Sequence, residues 1–162
     1  MKKCNTEIMK DIKKLEEMKS SLLTQERTSC TVSYLQGEKP IDTGYDYEKL
    51  SSDVEACDKE IRRLKALLAY ANVTTQVEGF NMSISEALVY LAQLSDKLSR
   101  LENLVRIKPI DRRSPGYSST PEFTVIVFDR EKVLKEYNEV RDLIPQLQMA
   151  IDRTNLNNMI EC

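Results

Sequence analysis

The chain has 162 residues, 41% apolar and 31% charged, which suffices for one ordinary domain with a real core and excludes a disordered tail. Lys and Arg number 24 against 26 Asp and Glu, so a net charge of -2 offers no global field to recruit DNA, RNA or anionic lipid. With no His and no Trp, it lacks the side chain most used in general acid-base chemistry near neutral pH and the best cation-π platform.

The opening MKKCNTEIMKDIKKLEE is basic but has no apolar run behind it, so neither a signal peptide nor a membrane span is drawn, and a cytoplasmic location is expected. Cys4, Cys30, Cys57 and Cys162 are widely separated, without a CxxC pair or a histidine to complete a mixed metal site. They read as free thiols, and no cofactor or metal is expected.

Helical spacing dominates the rest. Ile8, Ile12, Leu15 and Leu22 lie on one face of an amphipathic helix over about 5–27, with Lys19 interrupting the stripe. Leu50, Val54, Cys57, Ile61, Leu64, Leu68 and Ala71 follow an unbroken alternation of four and three, which predicts a second helix capped by Ser51 or Ser52, or already helical from Tyr47. Ser83-Ile84-Ser85-Glu86 fits a capping box, and Ile84, Leu88, Leu91, Leu94, Leu98, Leu101 and Val105 carry the third helix to about Arg106. The last helix is expected to start behind Asp129 and to carry Val133, Tyr137, Val140, Ile144, Leu147 and Ile151. Pro145 should kink it rather than divide it, because the apolar phase continues across the ring.

Between these helices, Thr31–Leu35 and Glu122–Phe128 have strand-like composition, and they are expected to pair as a small ribbon, within the chain or across subunits. The fold expected is mainly α: an antiparallel bundle of four long amphipathic helices with a small β-ribbon from the two long loops. It forms one helical domain over 1–162, with 1–79 and 82–162 as pseudo-repeated helix-loop-helix halves.

Two groups of residues invite a functional reading. Asn72, Thr74, Thr75, Asp152, Thr154 and Asn155 close the second and fourth helices, either as cap and turn chemistry or as one polar cluster at a common end. Arg106, Lys108, Arg112 and Arg113 around Asp111 give a local charge of +3 in a loop that also holds Tyr117, a candidate anionic-ligand loop. No serine or cysteine stands in a nucleophile elbow, phosphate loop or metal motif, so catalytic, cofactor and metal residues are all read as none and the protein as a non-enzyme.

Gly37-Glu38-Lys39-Pro40, Asn72-Val73-Thr74-Thr75, Ile84-Ser85-Glu86-Ala87-Leu88 and Ile151-Asp152-Arg153-Thr154-Asn155 occur in an order and spacing that resembles, over nearly the whole chain, a family of small bacterial and phage-associated helical proteins often labelled septicolysin. That label implies a cytolysin-like membrane activity. The residues themselves point first to a scaffold or protein-protein interaction module that self-associates through its helices, most simply as a homodimer, with room for a further protein partner. Nucleic-acid or phage-associated binding through the 106–117 loop is the second reading, although nucleic acid is not the partner the overall charge favours, and a cytolysin-like role is the third.

Overall fold

The computed structural model describes residues 2–113 and 120–161. Four helices account for most of them: α1 (Asn5–Ser29), α2 (Tyr47–Thr74), α3 (Ile84–Arg106) and α4 (Arg130–Asn157). Two small antiparallel ribbons complete a mainly-α fold, β1 (Lys2–Cys4) with β4 (Met159–Glu161), and β2 (Ile110–Arg113) with β3 (Glu122–Val125). The chain divides into two compact units, Met1–Thr75 with Thr154–Cys162, and Gln76–Arg153.

In the first unit α1 and α2 pair antiparallel, as their cross-links show: Glu16 meets Lys65, Lys19 meets Asp58 and Glu26 meets Tyr45. Ile8, Ile12, Ile61 and Leu64 form the buried cluster, with Leu15, Leu68 and Ile160 against it. The α2 alternation points inward along its whole length, since Leu50, Cys57, Ile61, Leu64 and Ala71 are buried and Val54 and Leu68 partly so. Lys19, the break in the α1 stripe, keeps its stem half-buried and places its ammonium 2.7 Å from Asp58. The second helix is helical from Tyr47, the earlier of its two expected starts. Asp46, not Ser51 or Ser52, caps α2 by accepting the Lys49 N–H at 3.1 Å, because a carboxylate oxygen satisfies a free first-turn amide and favours the positive end of the helix.

In the second unit α3 and α4 enclose a cluster of Val77, Ile84, Ala87, Leu94, Leu101, Val140, Leu147 and Ile151. Leu88 is 45% exposed, whereas Ala87, one position before it, is fully buried and belongs to this cluster. The capping box is present: the Ser83 N–H donates to the Glu86 carboxylate at 2.7 Å and the Glu86 N–H to the Ser83 hydroxyl at 3.3 Å. Ahead of it, Val77 and Phe80 close a turn through a 3.0 Å backbone bond with Gly79 at φ 80°, a conformation open to glycine without strain. Asp129 caps α4 through the Glu131 and Lys132 amides, and α4 runs on through Pro145 as one helix.

The ribbon expected between 31–35 and 123–127 does not form. Residues 31–35 have no strand structure, and β3 pairs instead with β2 in its own connection. Closing that short local loop costs less chain entropy than joining two segments about ninety residues apart. The second ribbon, β1 with β4, pairs the two ends of the chain, Lys3 opposite Ile160 and Cys4 opposite Met159.

Leu147 is fully buried in the cluster, so Leu147→Ala should cost about 2–5 kcal/mol in urea unfolding, whereas the exposed Leu35→Ala should change stability by less than about 0.5 kcal/mol. Glu86 is held below the usual carboxylate range by the Ser83 N–H and then the Ser83 hydroxyl. Its contribution is therefore present above the unfolded carboxylate pKa and disappears as pH falls through the lower folded value. Urea midpoints taken on acidification should fall less steeply for Glu86→Gln, which keeps the cap but cannot titrate; an unchanged slope would mean that this carboxylate carries none of the acid sensitivity.

Candidate functional site

The connection between α3 and α4 holds the basic residues singled out in the sequence. It leaves α3 at Arg106, whose guanidinium pairs with Glu102 one turn back. Ile107 then breaks the helix, and its carbonyl accepts a 2.8 Å bond from the Arg130 guanidinium, which ties the start of α4 to the end of α3. From there the chain forms β2 and returns as β3, in the register Ile110 opposite Val125, Asp111 opposite Thr124, Arg112 opposite Phe123 and Arg113 opposite Glu122.

Because opposed residues share a face, this register sorts the ribbon into two sides. One carries Ile110, Val125, Phe123 and Arg112, and the other Asp111, Thr124, Arg113 and Glu122. The first side is apolar and open to solvent, with Ile110 64% exposed, Phe123 58% and Val125 56%, and Val127 just beyond is 97% exposed.

The cations are less available than their number suggests. Lys108 and Arg113 share Asp111, at 3.9 and 3.7 Å, Arg106 is engaged by Glu102, and Arg112 lies over the Phe123 ring at 5.9 Å from its centroid. The fifth residue of the candidate loop, Tyr117, lies outside the described residues. What the connection presents is thus an apolar ribbon face edged by partly neutralised cations, rather than a concentrated anion cradle.

The connection between α1 and α2 is also rich in exposed apolar side chains, among them Tyr34, Leu35 and Ile41. Its base is fixed by the Thr43 hydroxyl donating to the Ser29 carbonyl at 2.7 Å and the Tyr45 hydroxyl donating to Glu26 at 2.9 Å. The Glu26 carboxylate accepts the hydrogen bond of the protonated phenol, and this bond, with burial and the carboxylate's charge, raises the Tyr45 pKa to about 12.

In the other predicted group, the bonds of Thr74 and Asp152 are local ones within their own helices, in keeping with the cap and turn reading. Thr74 turns its hydroxyl to the Tyr70 carbonyl, as helix-terminal threonines do, and Asn72 and Thr75 are half-buried at the end of α2. Asp152 accepts from the Gln148 side chain at 3.1 Å, and Thr154 is buried. Asn155 belongs to a different polar cluster, one that spacing along the helices did not reveal. Its Oδ1 accepts from Nδ2 of Asn5 at 2.9 Å, and the Asn5 Oδ1 accepts from Nδ2 of Asn158 at 3.2 Å. Asn5 is completely buried at the first position of α1, beside the ribbon of the two chain ends.

Glu7 accepts from the Cys4 N–H at 2.9 Å, and Glu78 stands 3.9 Å from Arg153. Among the described residues no group of three or more His, Cys, Asp or Glu side chains could hold a metal ion. Cys4 and Cys57 are buried, the latter as a small member of the α2 seam, and Cys30 is exposed. Cys162 lies outside the described residues. A groove of about 400 Å³ between α1 and α2 has Leu23 and Ile61 in its lining and is crossed by the Lys19–Asp58 and Lys65–Glu16 pairs, so its central charges already have partners.

Neither a family model nor a curated protein matches the sequence. Among solved structures, the chain is similar to a functionally unknown conserved protein from Corynebacterium diphtheriae, with a TM-score of 0.64, 17% identity, and coverage of 99% of this chain and 100% of that one. The likeness is one of fold. No helix among the described residues is long and apolar enough to cross a membrane.

The Asn5 amide gives this region its own test. Asn5→Ala removes a fully buried hydrogen-bonding side chain and strips partners from Asn155 and Asn158, so thermal or urea unfolding should report a loss of about 1–3 kcal/mol. A change within about 0.5 kcal/mol would show that water replaces the lost bonds.

Proposed function

We propose that this protein is a non-enzymatic interaction module, a scaffold in which paired helices set distance and their connections make the contacts. The observation that carries the reading is the placement of large apolar side chains at the two connections: Tyr34, Leu35 and Ile41 after α1, and Ile110, Phe123, Val125 and Val127 after α3. Leaving such side chains in water is unfavourable by about 25 cal/mol per Å² of apolar area, and a contiguous exposed set is the usual signature of a surface that another molecule covers. Self-association is the simplest use of these surfaces, with a dimer as the expected state. Exposed Tyr70, Val73, Val89 and Met149 supply apolar area on the helices themselves for the same purpose.

Nucleic-acid binding through 106–117 is the weaker reading. Phe123 with Arg112 over its ring could stack on one base, but sequence-tolerant binding of single strands draws on successive aromatic platforms and unpaired cations, and the neighbouring cations are shared with Asp111 and Glu102. The septicolysin resemblance adds a cytolysin-like role only if the apolar side chains reach lipid, which release of dye from anionic vesicles would report.

Size-exclusion chromatography with light scattering on the full chain at micromolar concentrations should give a dimer mass that survives high salt, because the contacts are apolar. A monomer at every concentration would contradict self-association, and retention on an oligonucleotide that is lost as salt rises would favour the second reading.

A further inference from the structure

We propose that the outer edge of β3 is a self-recognition edge, along which β3 of one copy pairs antiparallel with β3 of a second copy about a two-fold axis at Thr124. The result is a continuous sheet in the order β2–β3–β3–β2. This rests on the self-association reading above and names its surface.

The hydrogen-bond phase of the ribbon decides which residues face that edge. Ile126 donates its N–H to the Pro109 carbonyl at 3.2 Å, and Val125 stands opposite Ile110. In an antiparallel pair, that bond marks Val125–Ile110 as a non-hydrogen-bonded pair, so residues 122, 124 and 126 turn their main-chain groups to β2. Phe123 and Val125 turn theirs outward, and among the described residues no other strand pairs with that edge. A two-fold axis at Thr124 sets Phe123 of each copy opposite Val125 of the other, and both of these pairs then exchange their outward N–H and C=O groups. Thr124 meets Thr124 of the partner copy as the close, non-hydrogen-bonded pair between them.

Side chains agree with the backbone. Phe123 opposite Val125 is an aromatic with β-branched pair, which favours sheet formation by about 0.2–1 kcal/mol relative to alanines. The axis is perpendicular to the sheet and preserves its faces, so Ile110 and Val125 of each copy line up with Phe123 and Arg112 of the other in two adjacent rows, with the apolar side chains in the middle. Glu122 falls opposite Ile126, and no like charges oppose each other.

The other edge of the ribbon cannot do this. Its outward residues are Ile110 and Arg112, beside Lys108 and Pro109, and the same operation on β2 would set Asp111 or Arg112 against its own copy. Charges and proline are the devices by which sheet edges are kept from pairing, and β3 carries neither between Phe123 and Val125.

The test uses the full chain with Cys30→Ser and Cys162→Ser, so that the buried native thiols remain and the added one reports. Thr124→Cys should form a covalent dimer under mild oxidation, because directly opposed residues of a non-hydrogen-bonded pair approach to about 4.5 Å between Cα atoms, within disulfide range. Glu122→Cys, placed opposite Ile126, should not. Val125→Pro removes an outward amide together with the side chain that meets Phe123 of the second copy, leaves the main-chain groups of residues 124 and 126 that face β2, and should weaken the dimer by at least about tenfold in dissociation constant, with the helical circular dichroism unchanged. Equal cross-linking at 122 and 124, or a dimer indifferent to Val125→Pro, would overturn the β3 edge while leaving self-association through the helices standing. A wild-type chain that is monomeric at tens of micromolar would overturn both.

Discussion

Burial of an apolar seam on each helix against one antiparallel neighbour is the constraint from which the remaining structure follows. In each unit two long helices offer one face to each other, and the side chains that recur three and four apart are the ones that lose water: Ile8, Ile12, Ile61 and Leu64 in the first, Leu94, Leu101, Val140 and Leu147 in the second. A helix pair has a narrow core, so much of each helix remains polar and wet. The ion pairs between Lys19 and Asp58, Lys65 and Glu16, and Lys97 and Glu136 sit along that boundary, where they set which residues face each other and add little energy. A narrow core also explains why the connections matter. They hold apolar side chains that the helix pairs do not cover, and they are the parts of the surface most in need of a partner.

The polar part of the design lies at helix ends. Ser83 with Glu86, Asp46 and Asp129 satisfy first-turn amides that would otherwise lack partners. The first helix solves the problem differently. Its cap is Cys4, whose N–H reaches the Glu7 carboxylate, while Asn5 spends its buried amide on Asn155 and Asn158, near the other end of the sequence. Together with the β1–β4 pairing, this joins residues 2–5 to residues 155–161 by directional bonds.

What could be read from sequence followed the physics of period and caps. The α2 seam from Leu50 to Ala71 and the Ser83–Glu86 box are local patterns, and they appear where spacing placed them. Leu88 shows the limit of a stripe count: it keeps helical spacing with Leu91 and Leu94 yet is exposed, while Ala87 beside it is buried. Pairing partners were less legible. The composition of 122–128 announced a strand, yet nothing in 31–35 distinguished a mate from a β-rich loop, and the local alternative at Ile110–Arg113 was hidden by its charges. The Asn5–Asn155–Asn158 contact joins residues 150 and more positions apart, and a lone asparagine at the start of a helix reads as a cap before it reads as a buried partner. For the basic loop, counting charges overstated the site, since Asp111 and Glu102 take up three of its four cations.

Amide hydrogen exchange followed by mass spectrometry measures the shielding of the seams most directly. The slowest exchange is expected in peptides from 84–106 and 133–151, then in 8–22 and 50–71, with 31–45 exchanging at the rate of open loop. Rapid exchange throughout 133–151, or protection of 31–35 equal to that of the helices, would contradict pairwise burial as the basis of this fold.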